Sequence, residues 1–180
     1  MRFFSSKQND LILDELQYYI PRKVIVDTER ILLVFPLKRK PEEMIVYWAG
    51  IREGVKSIVR LVVIPNAKTN SGRVIVSQEN NFHFVKALSS RNLIQIAQVH
   101  THPTSWVGHS PGDNEYAAFK VEGLLSIVVP SYCRKGMLPL EKCGVHRFDG
   151  EKFIRLPNKY LKGHLHIIND KESELEDLRK

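Results

Sequence analysis

His100-Thr101-His102, seven intervening residues and then Ser110-Pro111-Gly112-Asp113 require a strand, a loop and a helix start, in that order. Ile94 to Val99 is a short, mostly apolar, partly β-branched run, the usual signal of a buried strand. Carried on through His102, it sets the two histidines two residues apart, so both side chains leave the same sheet face. Pro103 has no N–H to give a ladder and stops the strand. The histidines therefore sit at a strand end, not in mid-core. Ser110 suits an N-cap, Pro111 the first helical position, and Asp113 the first turn, where an acid faces the positive end of the dipole. The pattern predicts a helix from there through Val121 that ends at Gly123.

Each half of this pattern has a plain structural reading. His-x-His is common on surface strands, and Ser-Pro-Gly-Asp is a good cap. Together they suit a catalytic metal site. Two imidazoles about 7 Å apart along a strand can swing onto one ion, each giving a nitrogen at about 2 Å. Ser110 and Asp113, three apart, can point to the same space at the helix start, and residues 103–109 are enough chain to fold that end back against the histidines. Capping and metal binding do not compete, since Ser110 and Asp113 can do both. Two neutral imidazoles and one carboxylate leave a divalent ion with net positive charge and an open position, as in hydrolytic sites.

These residues resemble the JAMM (MPN+) family of zinc metalloproteases, whose motif is an upstream glutamate, His-Ser/Thr-His-Pro, and the Ser and Asp at the spacing found here. The match from His100 to Asp113 has no gap, Ser126 to Pro130 looks like the family's next strand, and the likeness covers about residues 23–167. The resemblance implies that His100, His102 and Asp113 bind Zn2+, that Ser110 supports the oxyanion, and that a glutamate acts as general acid/base. In the family this glutamate opens a strand and precedes a glycine by seven residues. Glu43, with Gly50 after it, has that layout; Val46 stands where the family usually has another glycine, so Glu42 is second choice. Glu53 lies past the glycine and is a poor candidate. Trp106 would line the substrate channel or cover the underside of its loop, and His109 would be a hydrogen-bonding neighbour and not a ligand.

The family fold is α/β, a single JAMM/MPN (cytidine-deaminase-like) domain with a mixed β-sheet flanked by helices. At 180 residues the chain is long enough for one such core. The expected layout is an N-terminal helical appendage over residues 1–22, the catalytic domain over 23–168 and a charged tail over 169–180. Leu11, Leu13, Leu16 and Tyr19 predict a helix ending at Pro21. Arg22 to Val26 reads as a strand, with Asp27-Thr28 capping a helix that holds Ile31, Leu32 and Phe35. Strands are expected over Val55–Ile64, Arg73–Val76 and Leu124–Val129, and as a hairpin around Asp149-Gly150. Leu165 to Ile168 reads as an edge strand, and the tail from Asp170 reads as a solvated helix.

Composition narrows the function. The start of the chain turns polar at once and no apolar run reaches membrane length, so a cytoplasmic protein without membrane partners is expected. Cys133 and Cys143 are too few for a disulfide scaffold and match no zinc-finger spacing. The net charge of +7 is scattered, and Lys38-Arg39-Lys40 is its one tight cluster, so a basic rim for an acidic partner fits better than nucleic-acid binding. The resemblance implies an isopeptidase or peptidase that cuts after the C-terminal tail of a ubiquitin-like protein, releasing it from a target lysine or a precursor. The chain looks most like short bacterial members that accompany activating and conjugating enzyme homologues in antiphage operons. Two other readings stay open: a non-catalytic scaffold of the same fold, and a hydrolase of this type acting on another substrate class.

Overall fold

The computed structural model describes residues 13–34, 41–115, 117 and 119–179. Strand β1 (Gln17–Pro21) leads directly into helix α1 (Arg22–Val34), followed by β2 (Ile45–Glu53) and β3 (Lys56–Ile64). A hairpin of β4 (Ala67–Asn70) and β5 (Arg73–Val76) precedes α2 (Gln78–Ser89) and β6 (Ile94–Thr101). After the short helix α3 (Pro111–Glu115) come β7 (Leu125–Val129), β8 (Gly144–Phe148) and β9 (Phe153–Arg155). Helix α4 (Asn158–His164), β10 (Leu165–Ile168) and β11 (Glu174–Asp177) complete the order.

Among the described residues, nine strands form one mixed sheet in the order β10-β1-β3-β2-β6-β7-β8-β9, with β11 also on β3, and β4-β5 stand apart as a two-stranded sheet. The result is a mixed α/β architecture in which helices flank the sheet. Its middle strands carry near-continuous apolar runs because both faces are covered. On one face Val46, Trp48, Val59 and Val62 pack with Val24, Ile25 and Leu32 of α1, and Trp48 Nε1 donates to Thr28 Oγ1 at 2.8 Å. On the other, Tyr47, Ala49, Leu61 and Val63 pack with Phe84 and Leu88 of α2. Gly50 is required where β2 passes β3: a Cβ there would lie 1.9 Å from the carbonyl oxygen of Ile58. Register slips of β2 against both neighbours occur beside it.

Several sequence expectations hold, among them β3, β5, β7, β10 and the β8–β9 hairpin around Asp149-Gly150. Others are corrected. Gln17–Pro21 is a strand and not the end of a helix, because it lies between β10 and β3, parallel to both, with Tyr18 and Ile20 buried. Leu11, Phe35 and the Lys38–Lys40 cluster lie outside the described residues. Arg22–Val26 is helical, continuous with the stretch expected after it: Val24 and Ile25 join Ile31 and Leu32 in one buried stripe, so the apparent alternation was half of a helical period. The helix from Pro111 ends at Glu115, and Phe119 leaves it to pack on the Phe84 ring at 5.8 Å. The tail forms β11, not a helix, because β3 beyond its pairing with β1 leaves Leu61–Ile64 open for it.

Candidate metal centre

Strand β6 lies between β2, antiparallel to it, and β7, parallel to it, so His100 pairs with Ile45 on one side and Val128 on the other. His102 follows the strand end and is held there by its N–H, which donates to the Val129 carbonyl at 2.9 Å. Thr101, between the two, is fully buried and grips the start of β2. Its Oγ1 accepts from the Met44 N–H at 2.9 Å, and its own N–H donates to the Met44 carbonyl at 3.0 Å. Glu43 is thereby fixed beside the histidines. Sequence reasoning assigned Thr101 no task; only the register of β2 against β6 reveals it.

Ser110 caps α3 reciprocally with Asp113. The Asp113 N–H donates to Ser110 Oγ at 3.1 Å, and the Ser110 N–H donates to Asp113 Oδ2 at 2.7 Å. The cap aims the Asp113 carboxylate at the histidines, with Oδ1 3.3 Å from His100 Nε2 and Oδ2 3.3 Å from His102 Nε2. One ligand atom from each residue falls within a 4.8 Å group. A tetrahedral ion with bonds near 2.0–2.1 Å keeps its ligand atoms about 3.3 Å apart, so the donor set fits such an ion. His100 supplies a second sign. Its Nε2 is buried and 3.3 Å from Asp113, yet lacks the alignment of a hydrogen bond. A buried, unpaired ring nitrogen is costly unless something absent from the protein chain binds it.

The tautomer of His102 is set by its surroundings. Nδ1 lies 3.1 Å from the Trp106 carbonyl, which can only accept, so Nδ1 carries the proton and Nε2 keeps its lone pair for an ion. Burial lowers the His102 pKa, but the Asp113 carboxylate 3.3 Å from its Nε2 favours the protonated ring, outweighs burial and carries the pKa above the ordinary value. Burial likewise opposes ionisation of Asp113, and contact with the two histidines overcomes this, holding its carboxyl well below the usual carboxylate range. The Trp106 ring stacks on His102 at 5.2 Å and covers it, while remaining 53% exposed itself. Gly108 leaves the space for it, since a Cβ there would lie 2.7 Å from the indole.

Glu43 shares a cavity of about 150 Å³ with His100, Ser110, Asp113, Gln98 and Gly72. Burial, opposed by His102 and aided by Asp113, pushes its carboxyl up to about 7. Glu42 turns elsewhere, its carboxylate accepting from Thr69 Oγ1 at 2.5 Å. Glu53 ends β2 at the strand's far end and is exposed. The hairpin forms one wall of the cavity through Gly72 and Val74, and is held from both sides. The Glu43 N–H donates to the Asn70 carbonyl at 2.8 Å, and Tyr132 OH donates to the Ser71 carbonyl at 2.8 Å.

His109 stands apart from the three candidate donors. Its Nδ1 meets Asn114 Oδ1 at 3.1 Å and its Nε2 meets Ser126 Oγ at 2.8 Å. Burial, reinforced by the neighbouring His100, lowers its pKa to about 4 and keeps it neutral. Cys133 and Cys143 are buried and free in loop turns; burial raises both thiols to about 12, which suits inert packing.

Comparison with known proteins adds to this geometry. No family model matches the chain. A stretch of 92 residues, 49% of the chain, is 30% identical to y4jG, a probable metalloprotease of Sinorhizobium fredii, and spans 56% of that protein. The solution structure of protein DSY2949 from Desulfitobacterium hafniense aligns over 88% of this chain and 95% of that one, with a TM-score of 0.56 at 17% identity. This second likeness is one of fold.

Proposed function

We propose that the chain is a JAMM-type zinc metallopeptidase. It would have the corresponding MPN fold and hydrolyse the bond after the C-terminal tail of a ubiquitin-like protein. The observation that carries the reading is the meeting of His100, His102 and Asp113 in one donor group, beside a cavity that also presents Glu43 and Ser110. The half-length likeness to a probable metalloprotease supports the same chemistry.

His100 Nε2, His102 Nε2 and an Asp113 oxygen would hold the zinc. When bound, it supplies a lowered pKa to a water in its open position and polarises the scissile carbonyl. Glu43 takes the proton as the water oxygen bonds to the carbonyl carbon, and returns it to the nitrogen as the C–N bond breaks. A free carboxyl near 7 is poised for both transfers, and a nearby cation draws it lower. Ser110 Oγ already accepts from the Asp113 N–H, which leaves its O–H free to donate to the oxyanion. Among the described residues β4 and β5 pair only with each other, so the hairpin offers a strand edge along which an extended tail can lie.

The test uses a ubiquitin-like protein with a C-terminal extension, incubated with zinc-loaded protein and analysed by intact mass. Scission at the end of the tail is expected from the parent and not from Glu43→Gln. An intact substrate with the zinc-loaded parent would contradict this reading of the substrate.

A further inference from the structure

His100 and Gln98 leave β6 on the same face, two residues apart, and both line the cavity beside Glu43. Each presents a buried polar atom with no hydrogen-bond partner, His100 Nε2 and Gln98 Oε1. A bound ion accounts for the first. Gln98 is 3% exposed, so solvent does not account for the second.

The orientation of the Gln98 carboxamide follows from a chain of bonds that starts at α3. Asn114 Nδ2 donates to the Ser110 carbonyl at 3.3 Å, which turns Asn114 Oδ1 toward His109. Facing an acceptor, His109 Nδ1 must carry the proton, and the neutral ring therefore accepts at Nε2. The donor there is the Ser126 hydroxyl, 2.8 Å away. With its one proton committed to His109, Ser126 Oγ can only accept from Gln98, 3.0 Å away, so the Gln98 amide nitrogen faces Ser126. Oε1 is left unpaired. The same helix turn that aims Asp113 at the histidines thus also fixes Gln98, through the side chains of Asn114, His109 and Ser126.

We infer that Gln98 is a positioning residue of the metal centre, its Oε1 accepting a hydrogen bond from a water carried by the bound ion. One hydrated ion then satisfies both orphaned atoms of the cavity. A carboxamide oxygen suits this outer position better than direct coordination, because zinc favours imidazole, thiolate and carboxylate donors. Outer partners of this kind orient what the ion carries and contribute to its affinity. The inference rests on the metal-centre reading of His100, His102 and Asp113.

Zinc affinity, measured by competition with a chromophoric chelator, and the melting temperature of the metal-free protein test it together. Gln98→Met keeps the length of the side chain and removes the acceptor, together with the amide donor to Ser126 Oγ. It should weaken zinc binding about tenfold or more. Its metal-free melting temperature should stay close to the parent's, because deletion of the unsatisfied buried acceptor offsets loss of the bond to Ser126 Oγ, which still donates to His109. Gln98→Glu keeps an acceptor oxygen and should bind zinc at least as tightly as the parent. Affinity for Gln98→Met within about twofold of the parent would overturn the inference, as would an equal loss in both variants. A fall in metal-free melting temperature in step with the affinity would also overturn it, since that marks a strut and not an outer partner. If the parent itself binds no zinc, the metal-centre reading fails, and the inference fails with it.

Discussion

At the scale of single residues, the proposed function gives the three donors and Glu43 separable tasks. His102→Ala removes a ligand, and both zinc retention and cleavage should be lost. Glu43→Gln leaves the three donors in place, so zinc should remain while cleavage falls about 10²–10⁴-fold, as for loss of a general base. Elemental analysis and a cleavage assay on the same samples check both; equal activity in Glu43→Gln and parent would remove Glu43 from its role. Ser110→Ala should retain zinc, because the backbone N–H that orients Asp113 survives. It should lose about 1 kcal/mol of stability with the cap and about 10²-fold in turnover with the oxyanion donor, read by thermal melting and kcat. The meeting of His100, His102 and Asp113 was legible in the sequence because strand and helix periods convert spacing directly into direction. Glu43 was legible only as one of two neighbours, and the pairing of β2 with β6 turned it, not Glu42, into the cavity. Thr101 and Gln98 were not legible. What they do depends on Met44 and Ser126, distant in sequence and brought beside them by the sheet.

At the scale of elements, the β4–β5 hairpin is the part of the site with least support of its own. Its tip is tied by Tyr132 OH on Ser71 and by the backbone bond from Glu43. Tyr132 also donates its N–H to the His102 carbonyl at 2.8 Å, within a turn where Ser131, Tyr132 and Cys133 all have positive φ. Such backbone persists only where its surroundings hold it. Tyr132→Phe removes one bond, worth about 1 kcal/mol, and should speed hydrogen exchange at amides 67–76 while leaving those of β6 unchanged. Unchanged hairpin exchange would mean that the tie does not hold it. The sequence foretold elements wherever a run is apolar and buried along most of its length, as β3 and β7 are. It misjudged the ends. Gln17–Pro21 and Glu174–Asp177 are strands because of free edges on their neighbours, and the helix after Pro111 stops early because Phe119 packs in the distant second core. No local pattern records a vacant edge.

At the scale of the whole molecule, the sheet assembles the candidate site at one end of β6, where strands from three parts of the chain meet. Metal binding should therefore stabilise the entire domain. For an ion that binds only the folded chain, excess at a thousandfold of its Kd adds about 4 kcal/mol. Chelation of the zinc-loaded protein should lower the melting temperature, and added zinc should restore it in the parent but not in His102→Ala. Among the described residues no helix is long and apolar enough to cross a membrane. The covering of the sheet on both faces was legible as unbroken apolar runs, whereas the position of the cavity was not, since it needs the hairpin, β6 and α3 together. The most direct measurement is the metal content of protein purified without added metal, by elemental mass spectrometry. The account predicts close to one zinc per chain in the parent and none in His102→Ala; a parent without zinc even after reconstitution with the ion would contradict it.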